Sequence, residues 1–195
     1  MTDDGLFYLL DGDRVTVPMM KQTETFGYGE GEAYQVVEMP YDGRELSMLI
    51  LLPRSGEFKA FESSLESKHI EAIVRGLENR QVRLTMPKFE FDSESSLKET
   101  LSAMGMPIAF SGGNADFSGI TGSRDLWIAD VIHKAFISLD EEGTEAAAAT
   151  AVVMPRLSIP EEPVGFNVDR PFIFLVRDIE TEAILFVGRI LNPSA

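Results

Sequence analysis

The sequence contains no cysteine, and it has only two histidines and one tryptophan among 195 residues. Without cysteine there is no disulfide framework and no thiolate metal site, so the redox compartment is left open. No run approaches the ~18 apolar residues of a membrane-spanning helix. The first residues, "MTDDGLFYLL", also lack the positive start of a signal peptide. We therefore expect a soluble chain, cytoplasmic or secreted, with no membrane partner.

Basic residues are scarce as well. Lys and Arg total 17 against 32 Asp and Glu, which gives a formal net charge of −15. A charge of this sign repels the phosphate backbone of nucleic acids, so we expect no nucleic-acid partner. The length is sufficient for one domain with a sizeable core, or for part of a larger one.

Recognisable catalytic motifs are absent too. There is no G-x-S-x-G elbow, H-E-x-x-H helix, Walker loop or dinucleotide fingerprint. We interpret His69 as a solvated side chain on a helix and His133 as a hydrogen-bonded structural residue in a strand. Trp127 opens the same strand and is predicted to lie in the core. The sequence therefore predicts no enzyme, no metal site and no cofactor.

Strand patterns dominate the chain. Two apolar, β-rich runs, "AYQVVEMP" and "LSMLILLP", flank Asp42-Gly43, a favourable hairpin turn, and predict a buried antiparallel hairpin. A second apolar pair, "FIFLVRD" and "AILFVGRI", surrounds the polar "IETE". The run "VRLTMPKFEF" alternates between apolar and polar residues, and "LWIADVIHKAFISL" is long and strand-like.

Two short amphipathic helices are predicted between these strands. Apolar residues recur at roughly helical spacing from Ser64 to Leu77. A second helix fits Ser96 to Met104, where Ser96 and Glu99 are spaced as a capping box and Gly105 ends the helix. Mixed strands with few helices indicate the α+β class.

The stretch from Asp140 to Pro163 gives conflicting signals, because its alanines favour a helix, its valines a strand, and Pro155 interrupts both. Read as a strand, one face consists of small and β-branched side chains, namely Thr144, Ala146, Ala148, Thr150 and Val152. Small side chains let a segment enter between packed strands, since overpacking costs about 1 to 3 kcal/mol per site. Gly143 precedes this face and can act as a hinge. By itself the stretch is equally compatible with a surface helix or a disordered linker.

Five motifs follow one another along the chain: "VPMMKQ", "QVVEMPYDGRELSMLILLP", "DFSGI", "IHKAFISLDEEGTEAAAATA" and "FNVDRPFIFLVRDIETEAILFVGRILNP". As an ordered set they resemble the C-terminal half of the serpins, which are serine protease inhibitors that act as suicide substrates. The resemblance covers the whole chain. It implies a serpin-type α+β fold with predominantly antiparallel mixed sheets and a few short helices, of which residues 1–195 form the C-terminal portion of a single domain.

The resemblance further implies a reactive-centre loop at about residues 141–163. In this loop the hinge, which enters the main sheet after cleavage, is formed by Glu141, Glu142, Gly143, Thr144, Glu145, Ala146, Ala147, Ala148 and Ala149. The hinge contains no bulky residue and no proline, as is typical of inhibitory members. His133 matches a histidine of the family's shutter region, whose serine and asparagine partners belong to the N-terminal half.

The bait bond also follows from the resemblance. Counting seventeen residues from Glu141, as inhibitory members generally do, places Leu157 before the cleaved bond and Ser158 after it. A leucine there suits the apolar primary pocket of chymotrypsin-like, subtilisin-like or some elastase-like proteases. If the loop is one residue shorter, the bond lies between Arg156 and Leu157 and suits a trypsin-like protease.

The chain departs from the family in its length. Complete serpins are much longer, so we expect the native N-terminus to be absent and the missing N-terminal half to be a partner of this chain. The main alternative is a non-inhibitory serpin-like binding or scaffold protein that lacks the sheet needed to trap a protease. A hydrolase is a second alternative, against which the absence of an activated nucleophile motif argues.

Overall fold

The computed structural model describes residues 2–140 and 162–194. The strands in these residues are β1 (Thr2–Tyr8), β2 (Arg14–Glu30), β3 (Tyr34–Pro40), β4 (Leu46–Pro53), β5 (Glu78–Pro87), β6 (Phe89–Ser96), β7 (Ile132–Leu139), β8 (Val164–Asn167), β9 (Phe172–Asp178) and β10 (Ile184–Ile190). The helices are α1 (Phe58–Ser64), α2 (Ser67–Arg75), α3 (Lys98–Ala103) and α4 (Ser118–Thr121), with short 3-10 turns at Asp42–Arg44 and Pro107–Phe110. Within the described part, no helix has the length and apolar character needed to cross a membrane.

The chain divides into two compact units. Unit 1 comprises Met1–Phe89 and Leu139–Ala195, and unit 2 comprises Glu90–Ser138. Unit 1 contains an eight-stranded sheet in the order β10-β9-β4-β3-β2-β5-β8, with β1 paired to β2. Its pairs are antiparallel except for β5 and β8, which are parallel. The predicted α+β class with predominantly antiparallel mixed sheets is confirmed.

The predicted hairpin is strands β3 and β4. They pair antiparallel from Tyr34 opposite Pro53 to Pro40 opposite Ser47. The turn between them contains Gly43 with φ of 80°, a left-handed conformation that glycine adopts without steric cost. Strand β4 is buried at every residue after Leu46 because it has neighbours on both edges and cover on both faces. Burial on both faces explains its continuous apolar sequence.

Strand β2 is the longest element, with 17 residues. Val17 and Met19 are buried in its first half, whereas Phe26 and Tyr28 are buried in its second half. Because side chains alternate along a strand, odd and even residues point to opposite faces, so the buried face changes within β2. Because of this change, no single alternation of apolar and polar residues extends over the whole of β2.

Helices α1 and α2 cover part of the unit 1 sheet. The buried cluster beneath them consists of Val36, Leu49, Leu51, Phe58, Phe61, Ile73, Ile173 and Leu175. Helix α2 lies within the predicted range of 64–77, and α1 is an additional helix. The prediction of a solvated His69 is wrong, because its half-buried ring meets Tyr34 and Phe61 edge-on at centroid distances of 6.0 and 5.9 Å.

Unit 2 contains α3, α4 and most of the two-stranded sheet formed by β6 and β7. Helix α3 confirms the second predicted helix, and Gly105, with φ of 111°, follows its end. The predicted capping box is wrong. Ser96 is still part of β6, and its hydroxyl donates to Asp130 Oδ1 at 2.6 Å instead of capping the helix.

The prediction that Trp127 lies in the core is also wrong. Its side chain is 52% exposed and precedes β7, which begins only at Ile132. The Asp130 carboxylate accepts the backbone amide of Val131 at 2.7 Å, a local bond that occupies an amide at the start of the strand. The Trp127 ring lies against Gly112, where an added methyl group would meet it at 3.6 Å.

Candidate functional site

The candidate site is the segment that links β7 to β8. The predicted hinge residues Glu141–Ala149 and the bait residues Arg156, Leu157 and Ser158 lie outside the described residues. Their roles stay predictions. The structure does describe the two strands that flank this segment, β7 before it and β8 after it.

Strand β7 is mostly exposed. Ile132 and Phe136 are exposed apolar residues, and Leu139 is its one buried residue. Among residues 2–140 and 162–194 it pairs with β6 alone, so its second edge has no partner there. An exposed, unpaired edge with apolar side chains is a template for another strand.

Three interactions add to the backbone pairing of β6 and β7. The Asp130 carboxylate accepts the Ser96 hydroxyl just before β7, and the Leu97 amide donates to the Val131 carbonyl at 2.8 Å. Lys134 and Glu94 form an exposed ion pair at 2.8 Å. The polar residues at the start of β7 therefore fix the strand that precedes the candidate loop.

His133 lies on β7 with an exposed side chain. In the described part of the chain no hydrogen bond to its ring is seen, so the structural hydrogen bond predicted for it is not present there. Its shutter role stays a prediction.

Two aspartates organise the loop that leads toward β7. Hydrogen bonds from the Ser118 hydroxyl and amide hold the pKa of Asp116 below its ordinary value, with a further contribution from Arg124 at 2.7 Å. The hydroxyl of Ser123, followed by that of Thr121, likewise lowers the pKa of Asp125. Both carboxylates therefore stay ionised at neutral pH as acceptors for local turns.

The strand that follows the loop is anchored in unit 1. Strand β8 pairs in parallel with β5, from Val164 opposite Val82 to Asn167 opposite Thr85. Phe166 is fully buried, and the Val168 amide continues the pairing by donating to the Thr85 carbonyl at 2.8 Å. The C-terminal end of the candidate loop is thus attached to a buried part of the sheet.

Asp169 and Arg170 fix the chain after β8. The Asp169 carbonyl accepts the Tyr8 amide at 2.8 Å, and its carboxylate pairs with Arg170 at 2.9 Å. The Arg170 guanidinium also donates to the Pro53 carbonyl at 2.8 Å. These contacts join β1, β4 and the start of β9, and they are made by polar residues within the "FNVDRP" motif.

A buried ion pair crosses the centre of the sheet and was not predicted. Glu38 Oε1 accepts two hydrogen bonds from Arg177, at 2.7 and 2.9 Å, and one from the Ser47 hydroxyl at 2.7 Å. Arg177 and Ser47 are buried. The available signal was an acidic residue within the apolar run of β3 and a basic residue near the end of the apolar run of β9. This network joins three neighbouring strands, β3, β4 and β9.

The described residues contain no group of three or more His, Cys, Asp or Glu side chains arranged to hold a metal ion. They also contain no buried side-chain nitrogen or oxygen without a hydrogen-bond partner. The buried polar side chains in this part of the chain therefore all have internal hydrogen-bond partners.

Comparison with known sequences gives one family. The family model described as "Serpin (serine protease inhibitor)" matches residues 1–193. An uncharacterized serpin-like protein of Thermococcus kodakarensis is 46% identical over 182 residues, which is 92% of this chain and 42% of that protein. Leukocyte elastase inhibitor A of Mus musculus is 41% identical over 202 residues, covering 98% of this chain and 53% of that protein.

A solved structure gives the same result. The crystal structure of native protease nexin-1 with heparin matches with a TM-score of 0.83 and 33% identity, covering 98% of this chain and 52% of that one. The chain thus spans about half the length of the relatives it matches. Because the family model matches nearly the whole sequence and the fold agrees, this chain belongs to the serpin family.

Proposed function

We propose that this chain is the loop-bearing part of a serpin that inhibits serine proteases as a suicide substrate. The observation that carries the proposal is the unpaired edge of β7 in the described residues, directly before the alanine-rich segment. Similarity to leukocyte elastase inhibitors supports a protease as the partner. A non-inhibitory binding or scaffold role is the alternative, because the chain spans only half of its relatives.

In the proposed reaction the protease's serine oxygen attacks the carbonyl carbon of Leu157. The bond to the Ser158 nitrogen breaks, that nitrogen takes a proton, and Leu157 becomes an ester of the protease serine. The freed hinge then adds to a sheet beside β7. Each new backbone hydrogen bond contributes about 0.5 to 1.5 kcal/mol net, which drives the movement. Misplacing the catalytic groups by about 1 Å can cost roughly a hundredfold in rate, so ester hydrolysis stalls.

The preferred protease has a chymotrypsin-like, subtilisin-like or elastase-like pocket, which accepts Leu157. A trypsin-like protease is the partner if cleavage follows Arg156. Mass spectrometry of the peptide released by chymotrypsin or subtilisin decides between these two assignments. We expect Ser158 as the first residue of that peptide, whereas a peptide that starts at Leu157 contradicts the assignment.

A central inserted strand needs a neighbour on each side, and β7 supplies one. We therefore propose that inhibition requires the N-terminal half of the serpin fold, which residues 1–195 do not span. Alone, the chain should be cleaved without forming a stable covalent complex, because one neighbour provides about half of the possible hydrogen bonds. With an N-terminal half added, a denaturant-resistant complex should appear as a shifted band on a gel. Cleavage without this band in the reconstituted pair favours the non-inhibitory alternative.

The hinge can be tested in the reconstituted pair with two matched variants. T144R places a charge on the face proposed to be buried, where an unpaired charge costs several kcal/mol. A147R places the same charge on the opposite face. We expect T144R to turn the inhibitor into a substrate, while A147R retains more inhibition. Equal inhibitory stoichiometry for both variants contradicts the proposed inward face.

A further inference from the structure

One face of the sheet beside the candidate loop is exposed and polar. Strand β8, which follows the loop, pairs in parallel with β5, and β5 pairs on its other edge with β2. On β5, Val82 and Leu84 are buried. Gln81 and Arg83, which alternate with them, are exposed. Because side chains alternate between the two faces of a strand, Arg83 lies on the exposed face of the sheet.

Arg83 lies directly beside the strand that follows the loop. It is opposite Gly165 of β8 on one side and Thr23 of β2 on the other. Gly165 has no side chain, and an added methyl group there would meet no atom within 4 Å. Thr23 is exposed and uncharged. Neither strand neighbour therefore covers or neutralises the guanidinium group of Arg83.

Among the described residues Arg83 forms no ion pair, although the sequence has 32 acidic residues against 17 basic ones. Asp3 of β1 pairs instead with Lys21 at 2.9 Å. Asp169, which follows β8, pairs with Arg170 at 2.9 Å. An exposed arginine needs no internal partner for stability, so its donors are available to another molecule.

A protease bound to the candidate loop comes close to this face. The seven residues from Ser158 to Gly165 span at most about 25 Å even when they are fully extended. A protease domain of about 200 residues has a radius of gyration of about 16 Å, so its body extends well beyond the residues held in its cleft. The exposed face around β8 is therefore within reach of a protease that cleaves before Ser158.

We propose that Arg83 is a specificity-determining residue that binds a carboxylate on the inhibited protease, on the side of the protease's cleft that holds the residues after the cleaved bond. This inference rests on the proposed cleavage between Leu157 and Ser158. A guanidinium group suits a carboxylate because it can donate two parallel hydrogen bonds to it. A protease with a basic residue at the same place meets a like charge and is disfavoured.

The net charge of the chain acts differently from Arg83. At long range the charge of −15 repels an acidic protease and attracts a basic one. At physiological ionic strength charges are screened over about 8 Å, so a charge in direct contact counts for more than distant ones. Arg83 therefore selects for an acidic group at one place on the protease, whatever the protease's total charge.

The test measures kcat/KM for cleavage of the loop in the whole chain, with variants of subtilisin as probes. Each probe carries one glutamate at a surface position bordering that side of the cleft, and each has a matched glutamine variant. The chain is compared with R83Q, R83K and R75Q, where Arg75 is an exposed arginine on α2. For at least one position we expect the glutamate probe to cleave the original chain about two- to fivefold faster than the glutamine probe. This gain should be lost in R83Q and at high salt, and kept in R83K and R75Q.

Mass spectrometry of the released peptide separates this inference from the proposed function. Cleavage after Leu157 at rates that depend on Arg83 with none of the glutamate probes overturns the role of Arg83 and leaves the bait bond in place. A gain that is lost equally in R83Q and R75Q also overturns it, because the gain then reflects net charge alone. Absence of cleavage after Leu157 overturns the bait bond and, with it, this inference. If R83Q fails to fold by circular dichroism, R83T decides in its place.

Discussion

Strands β4 and β7 both contain eight residues and are rich in apolar side chains, but their surroundings differ. Strand β4 lies between β3 and β9 and is almost wholly buried, whereas β7 has one described neighbour and is mostly exposed. Apolar content alone therefore does not determine burial in this chain. Strand β4 has a neighbour on each edge in unit 1. The apolar residues Ile132 and Phe136 of β7, by contrast, are left exposed by the described residues.

The largest expected effect is a difference in the free energy of unfolding between alanine variants of two isoleucines, one on each of these strands. Ile50 on β4 is fully buried between Val37 and Phe174, whereas Ile132 on β7 is exposed. We expect I50A to lower the free energy of unfolding by about 2 to 5 kcal/mol, because it removes buried methyl groups and leaves a cavity. I132A should change it by less than about 0.5 kcal/mol. Urea unfolding followed by circular dichroism measures both, and similar losses would show that β7 is covered in solution.

The contrast between these strands explains which elements can be predicted. The hairpin of β3 and β4 is local, and its apolar runs and Asp42-Gly43 turn specify the same structure. Strand β8 and the second part of β2 both pair with β5, which is distant from each of them in sequence, and their own patterns carry little of that information. Ser96 shows the same limit of local sequence patterns. Whether its hydroxyl caps a helix or binds Asp130 depends on where the distant strand β7 begins.

The candidate site and its surroundings could likewise be predicted only in part. The ordered motifs identified the family, and the comparisons confirmed it. The partner of Glu38 could not be predicted, because Arg177 is 139 positions away in the sequence. The two side chains come together only in the folded sheet, where β4 lies between β3 and β9. The exposure of β10 could not be predicted either. Its apolar run indicates a buried strand, whereas within the described residues β10 pairs with β9 alone and Ile184–Val187 are exposed.

The second effect compares two ion pairs. Glu38 and Arg177 are mostly buried, whereas Glu94 and Lys134 are exposed. E38A should destabilise unit 1 by about 3 kcal/mol, because it leaves a buried guanidinium without its carboxylate. E94A should cost less than about 1 kcal/mol, since exposed pairs contribute little. Amide exchange in β3, β4 and β9 measures the first loss, and unchanged protection in E38A would mean that water replaces the carboxylate.

A third, smaller effect compares two glycines. Gly188 on β10 lies beneath the Phe174 ring, whereas Gly119 in α4 has open space around its α-carbon. G188A should cost about 1 to 3 kcal/mol because the buried ring must move. G119A should be neutral or stabilise by about 0.4 to 1 kcal/mol through the unfolded chain. Thermal unfolding of both variants checks the signs, and a stabilising G188A would show that the packing at β10 is loose.

The smallest effect concerns acid stability, and here the two units should behave alike. Hydrogen bonds from Thr181 lower the pKa of Asp178 in unit 1, and those from Ser118 lower the pKa of Asp116 in unit 2. A carboxylate with a depressed folded pKa stabilises fully above its unfolded pKa, which is about 3.9, and loses that contribution as the pH falls through the folded value. D178N and D116N keep a carbonyl acceptor but remove the titration. Each variant should therefore show a slightly smaller fall in urea midpoint between neutral pH and about pH 3 than the original chain. An unchanged fall in either variant would assign the acid sensitivity of that unit to other carboxylates.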